Sequence, residues 1–129
     1  MSAPTDRLTV FIPGLLASPM NASGYGLWKH RRWAKTWREK AAAFMLYTWG
    51  RHAGVDPATP KRITFYARVG AEWDDDNLRA GLKPVRDALK DMHIVNDDRP
   101  SAGHEWLYRQ VIVRPRNERG VTIIVEPLP

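Results

Sequence analysis

The sequence predicts an α+β fold: one mixed, mainly antiparallel β-sheet with two main helices packed on it. Three observations point there. Segments that alternate apolar and polar side chains open, divide and close the chain, and two longer stretches between them repeat apolar residues at helical spacing. Loops rich in Gly, Pro, Ser and Asn separate these segments. At 129 residues the chain is the size of one domain, residues 1 to 129, with a single hydrophobic core.

The first strand is read over Asp6 to Pro13 (DRLTVFIP), where Leu8, Val10 and Ile12 alternate with Thr9 and Phe11. GLLASPMNASGYG then forms a loop. From Trp28 to Trp49 there is no Pro or Gly, and Trp33, Trp37, Ala41, Phe44 and Thr48 fall on one helical face, the face expected in the core. Lys29, Arg32, Lys35, Arg38, Glu39 and Lys40 occupy the other face. After a second loop, GRHAGVDPATP, the run Lys61 to Trp73 alternates Ile63, Phe65 and Ala67 with Thr64, Tyr66 and Arg68, as a half-buried strand does. Leu78, Leu82, Val85, Leu89 and Met92 then repeat as a second helix. Pro84 removes a donor within it, which predicts either a kink or a helix proper that begins near Pro84. EWLYRQVIVRPR and VTIIVEPLP read as two strands, and the NERG between them predicts a hairpin.

Composition narrows the class. No apolar run approaches the ~18 residues that cross a bilayer, so no membrane is expected. MSAPTDRLTV lacks the basic and apolar blocks of a secretory leader, and there is no cysteine, which together fit the cytoplasm. Charge is uneven. Residues 1 to 70 carry eleven basic against three acidic side chains (+8), residues 71 to 98 four against eight (−4), and residues 99 to 129 five against three (+2). A pI near 10.0 suggests a polyanionic partner, because neutralising phosphates releases counterions. Lys29, Arg31, Arg32, Lys35 and Arg38 are the candidate DNA-binding residues.

The acidic island inside this basic chain is EWDDDNLRAGLKPVRDALKDMHIVNDD, with Asp74, Asp75 and Asp76 ahead of the second helix and Asp97 and Asp98 after it. In an extended segment Asp74 and Asp76 project to one side and Asp75 to the other. Hard oxygen donors of this kind suit Mg²⁺ or Mn²⁺. The bland alternative is helix capping by Asp75 or Asp76, which needs only one carboxylate.

DDDNLRAGLKPVRDAL followed by IVNDD resembles the signature of the RusA family of Holliday junction resolvases. Asp74, Asp76, Asn77 and Leu78 match its Asp-x-Asp-Asn-Leu segment, Lys83 and Asp87 its Lys-x-x-x-Asp step, and Asp98 the second acid of its Asp-Asp pair. Ser18 to Asn21 (SPMN) resembles the segment after the family's first strand, and the terminal pair of strands resembles its terminal hairpin. About three extra residues separate the aspartates from Lys83 compared with the shortest family pattern, a rotation of about 60° on a helix. The loop around Leu27 and Trp28 matches only loosely.

The resemblance implies a bacterial or phage-encoded homodimer that cuts four-way DNA junctions by metal-assisted phosphodiester hydrolysis. Asp74, Asp76 and Asp98 would hold Mg²⁺, for which Mn²⁺ may substitute, and Lys83 would complete the catalytic set as a cation beside the reacting phosphate. Trp49, Trp106 and Tyr108 are dimer-interface candidates if exposed, and core residues otherwise. A competing reading is a non-catalytic domain that binds branched or duplex DNA through its basic surface. An enzyme of small phosphate compounds is disfavoured, since ASGYG lacks the spacing of a phosphate loop. His30, His52, His93 and His104 form no triad and are expected on the surface.

Overall fold

Alternation along Leu8, Val10 and Ile12 becomes strand β1 (Leu8–Pro13) in the computed structural model, which describes residues 7–16, 25–51 and 53–129, the side chains of 25–28 excepted. Five further long elements follow: α1 (Tyr25–Trp49), β2 (Lys61–Val69), α2 (Asp75–Asp91), β3 (Glu105–Ile112), and last β4 (Gly120–Pro127). The strands form one sheet in the order β1-β4-β2-β3. β4 pairs antiparallel with both β1 and β2, and β3 pairs parallel with β2, so the sheet is mixed and mainly antiparallel.

Inward-facing residues of the strands meet both helices in one core. Val10 and Ile12 of β1, Ile63, Phe65 and Ala67 of β2, and Val121, Ile123 and Val125 of β4 pack with Trp37, Ala41 and Met45 of α1 and Leu78, Leu82, Val85 and Leu89 of α2. α1 lies against α2 and β1, whereas α2 reaches β3. The opposite sheet face exposes Phe11, Tyr66 and Val111. No described helix is long and apolar enough to cross a membrane.

Three expectations are corrected. The terminal hairpin does not form: β2 lies between β3 and β4, and the NERG stretch makes a single 3-10 turn, Arg116–Glu118. The reason is burial. β4 alternates buried residues and is paired on both edges, whereas β3 is at most half-buried and ends in the exposed Val111 and Ile112, which suits an edge. On α1, Thr48 is exposed and Met45 is fully buried, because a strict four-residue step from Trp33 through Trp37 and Ala41 leads to Met45 and then Trp49. Finally, α2 starts at Asp75 and carries Pro84 in its interior, so it does not begin near Pro84. The Ser18–Asn21 segment and His52 lie outside the described residues.

The interface candidates pack on the core. The Trp49 indole donates to the Thr9 carbonyl at 3.1 Å, and Trp106 and Tyr108 stack on Phe65 with ring centroids 6.0 and 5.5 Å away.

Candidate functional site

β2 delivers the chain to the aspartates. Past Val69 the segment loses its strand partners, and the Gln110 side chain of β3 replaces them: the Trp73 amide donates to Gln110 Oε1 at 2.9 Å, and Gln110 Nε2 donates to the Trp73 carbonyl at 2.8 Å. One side-chain amide thus extends the ladder by a residue and fixes the approach to Asp74. This residue was missed in the sequence, where Gln110 is one polar position in a strand.

Asp74 is the N-cap of α2, in extended conformation, and its carbonyl accepts from the Leu78 amide at 3.0 Å. Its carboxylate makes no capping bond, and accepts instead from Asn77 Nδ2 at 3.1 Å. Asp75 and Asp76 are already helical, so strand alternation does not decide where they project. All three aspartates are exposed. Their mutual repulsion is eased by water, by Asn77 and by the positive end of the helix.

Lys83 is seven residues beyond Asp76 on the same continuous helix. At ~3.6 residues and ~5.4 Å per turn this is about two turns, on nearly the same face and about 10 Å along the axis. The extra spacing is therefore accommodated without turning Lys83 away from Asp76. Its ammonium is 3.3 Å from Asp87 and well exposed. It borders a groove between α1 and α2 lined also by His30, Lys35, Arg38, Ala80 and Pro84.

Asp98 is elsewhere. Arg86 holds its Oδ2 through Nε at 3.2 Å and Nη2 at 3.1 Å, and Lys90 is 3.6 Å from its Oδ1. The Arg86 guanidinium is itself fixed, 4.9 Å over the Trp106 ring and 2.6 Å from the Tyr108 hydroxyl. Arg86 stands about 18 Å along the axis from Asp74, at ~1.5 Å per residue, and Lys90 further still. Parallel pairing of β2 and β3 dictates this separation: α2 leaves the C-terminal end of β2, and the Asp97–Asp98 loop hands the chain back to β3 beside Arg62, at the other end. Asp97 pairs with Arg99 at 2.6 Å, and that bond chiefly holds its carboxyl below the usual range. Among the described residues no three His, Cys, Asp or Glu side chains are grouped to hold a metal ion.

Mg²⁺ is commonly held by one or two carboxylates, with waters and substrate phosphates completing its shell. The exposed oxygens of Asp74 and Asp76 fit that ion in kind, and Asp98 does not join them within one chain.

The candidate DNA-binding residues line the exposed side of α1. Lys35 is 4.0 Å from Glu39. Arg38 is exposed but paired: it forks onto Asp91 at 2.6 and 2.7 Å, lies 3.9 Å from Asp87, and ties α1 to α2. The Asp91 hydrogen bond raises the Arg38 pKa, and the same bond lowers that of Asp91.

His104 is buried, against expectation. The Lys61 amide donates to Nδ1 at 3.2 Å, so Nδ1 is unprotonated and Nε2, 3.0 Å from Asn96 Oδ1, carries the hydrogen. Burial, then the Lys61 charge, lower its pKa.

With this geometry in hand, a comparison with models of known protein families finds none that matches the chain, and a comparison with curated proteins finds no match.

Proposed function

We propose that the chain is a Mg²⁺-dependent, structure-specific endodeoxyribonuclease that resolves four-way DNA junctions as a homodimer, in keeping with its resemblance to the RusA family. The observation that carries this reading is the exposed run Asp74–Asp76 at the head of α2, reached from β2 through the short link that starts at Gly70, in a chain of net charge +6. Asp74 and Asp76 hold the ion. Because Asp98 lies at the far end of α2, a site that uses all three carboxylates takes Asp98 from a second copy, and a two-fold dimer then makes two equivalent sites. Mg²⁺ held by these carboxylates would lower the pKa of a water and offset charge on the phosphate. Lys83 supplies a cation for the leaving oxygen from the face of α2 that also carries Asp76.

A labelled four-way junction incubated with Mg²⁺ tests the reading. Wild type is expected to cut paired strands, and Asp76→Asn to be slower by about 10²-fold or more. Wild type that leaves the junction intact across Mg²⁺ and Mn²⁺ concentrations ends the enzymatic reading.

One observation favours the alternative of a DNA-binding domain without catalysis: a single chain gathers no triad of ligands among the described residues. That protein would bind DNA through Lys29, Arg31, Arg32, Lys35 and Arg38 with steep salt dependence and little response to divalent ions.

A further inference from the structure

At the end of the sheet where β2 gives way to the aspartates, there is a cleft of about 380 Å³ that the sequence did not suggest. Arg68, Arg116 and Arg119 line it together with Trp73, Leu15 and Leu16, and no acidic side chain lines it among the described residues. Its size is in the range of small-ligand sites, about 300–1,000 Å³.

Two of the arginines are held in place. Arg119 donates from Nε to the Val113 carbonyl at 3.1 Å and from Nη2 to the Arg114 carbonyl at 2.8 Å. Arg68 donates to the Glu118 carbonyl at 3.3 Å, with its guanidinium 5.4 Å over the Phe11 ring. Each keeps further N–H donors, since a guanidinium carries five. The Arg119 head lies so close to the backbone at Gly70 that a Cβ there would sit 2.5 to 2.9 Å from its atoms. Gly70 begins the short link that ends at Asp74, so the residue beside the cationic head is joined to the acidic run by that link.

We propose that this cleft binds one nucleotide of the DNA strand that passes Asp74 and Asp76. A nucleotide offers what the lining matches: an anionic phosphate for the guanidiniums and a planar base for Trp73 and the leucines. The position relative to the reacting phosphate rests on the nuclease reading above. Binding in the cleft does not.

The test is fluorescence anisotropy of a labelled four-way junction without divalent ions, over a range of salt. In the triple variant Arg68→Gln/Arg116→Gln/Arg119→Gln, the slope of log K against log salt should shrink by about 1, at ~0.9 for the one phosphate held per cleft, with about tenfold weaker binding near 0.1 M salt. Because Arg119 also ties the β3–β4 connection, the double variant Arg68→Gln/Arg116→Gln is measured beside it, with a slope change in the same direction of up to about 1 expected. Unchanged slope and affinity in the folded variants overturn the proposal. So does a polyglutamate peptide that displaces a short single strand from wild type as readily as a second single strand does. Wild type that shows the expected slopes but leaves junctions uncut in Mg²⁺ removes the nuclease and keeps the cleft. Cutting by wild type with unaltered binding by the variants removes the cleft alone.

Discussion

Gln110 is the single residue on which the aspartate approach most depends, since both polar groups of the Trp73 backbone are bonded to it. Gln110→Leu preserves the size of the side chain and deletes both bonds, at about 1–3 kcal/mol for unsatisfied backbone groups. Amide exchange at Trp73 through Asp76 is therefore expected to accelerate about tenfold or more, while the core amides of β4 stay protected. His104 supplies a pH dependence. Its folded pKa lies below the ordinary 6.5, so unfolded chain takes up the proton first. The stability it contributes is whole above about pH 6.5 and is lost as pH falls toward the folded value. Urea midpoints measured from pH 7.5 to 5 should drop for wild type and drop less for His104→Gln. Neither residue was legible in the sequence. A lone His just before a strand, or a lone Gln within one, carries no periodic signal, and both owe their roles to partners far along the chain, His104 to Lys61 and Gln110 to Trp73.

At the scale of elements, local pattern was a good guide and pairing was not. Alternation found β1, β2 and β4 because their inward residues repeat every second position, and the α2 stripe of Leu78, Leu82, Val85 and Leu89 is fully or nearly fully buried. Hairpin chemistry between β3 and β4 misled, because adjacent strands with a Gly between them pair only when neither has a better partner. β2 is that partner for both. The junction of β1 with β4 can be checked through Gly120. A Cβ there would collide with the Ile12 carbonyl and the Phe11 ring, so Gly120→Ala should cost about 1–3 kcal/mol in urea unfolding, with the site otherwise intact. The aspartates were correctly read at a strand-to-helix junction. What the residues could not reveal was that β2 and β3 are parallel, and this alone sends Asp98 to the far end of α2.

For the whole molecule, that separation makes a prediction about stoichiometry. If the three carboxylates serve one ion, Asp74→Asn and Asp98→Asn are each inactive alone, yet mixed subunits regain nicking, because one site of the heterodimer then combines an intact Asp74 and Asp76 with an intact Asp98. Subunit mixing followed by a junction-nicking assay checks this: failure of the mixture to recover any nicking would place the ligands within single chains, and an Asp98→Asn variant that is active alone would remove Asp98 from the set. The position of β4 has a different consequence. It comes last among the described strands yet stands second in the sheet, and among the described residues it is the strand that pairs with β1. β1 is therefore synthesised long before the strand it bonds to, so its backbone groups stay with water until β4 is made, and partial chains that lack β4 leave Val10 and Ile12 uncovered for chaperones to meet.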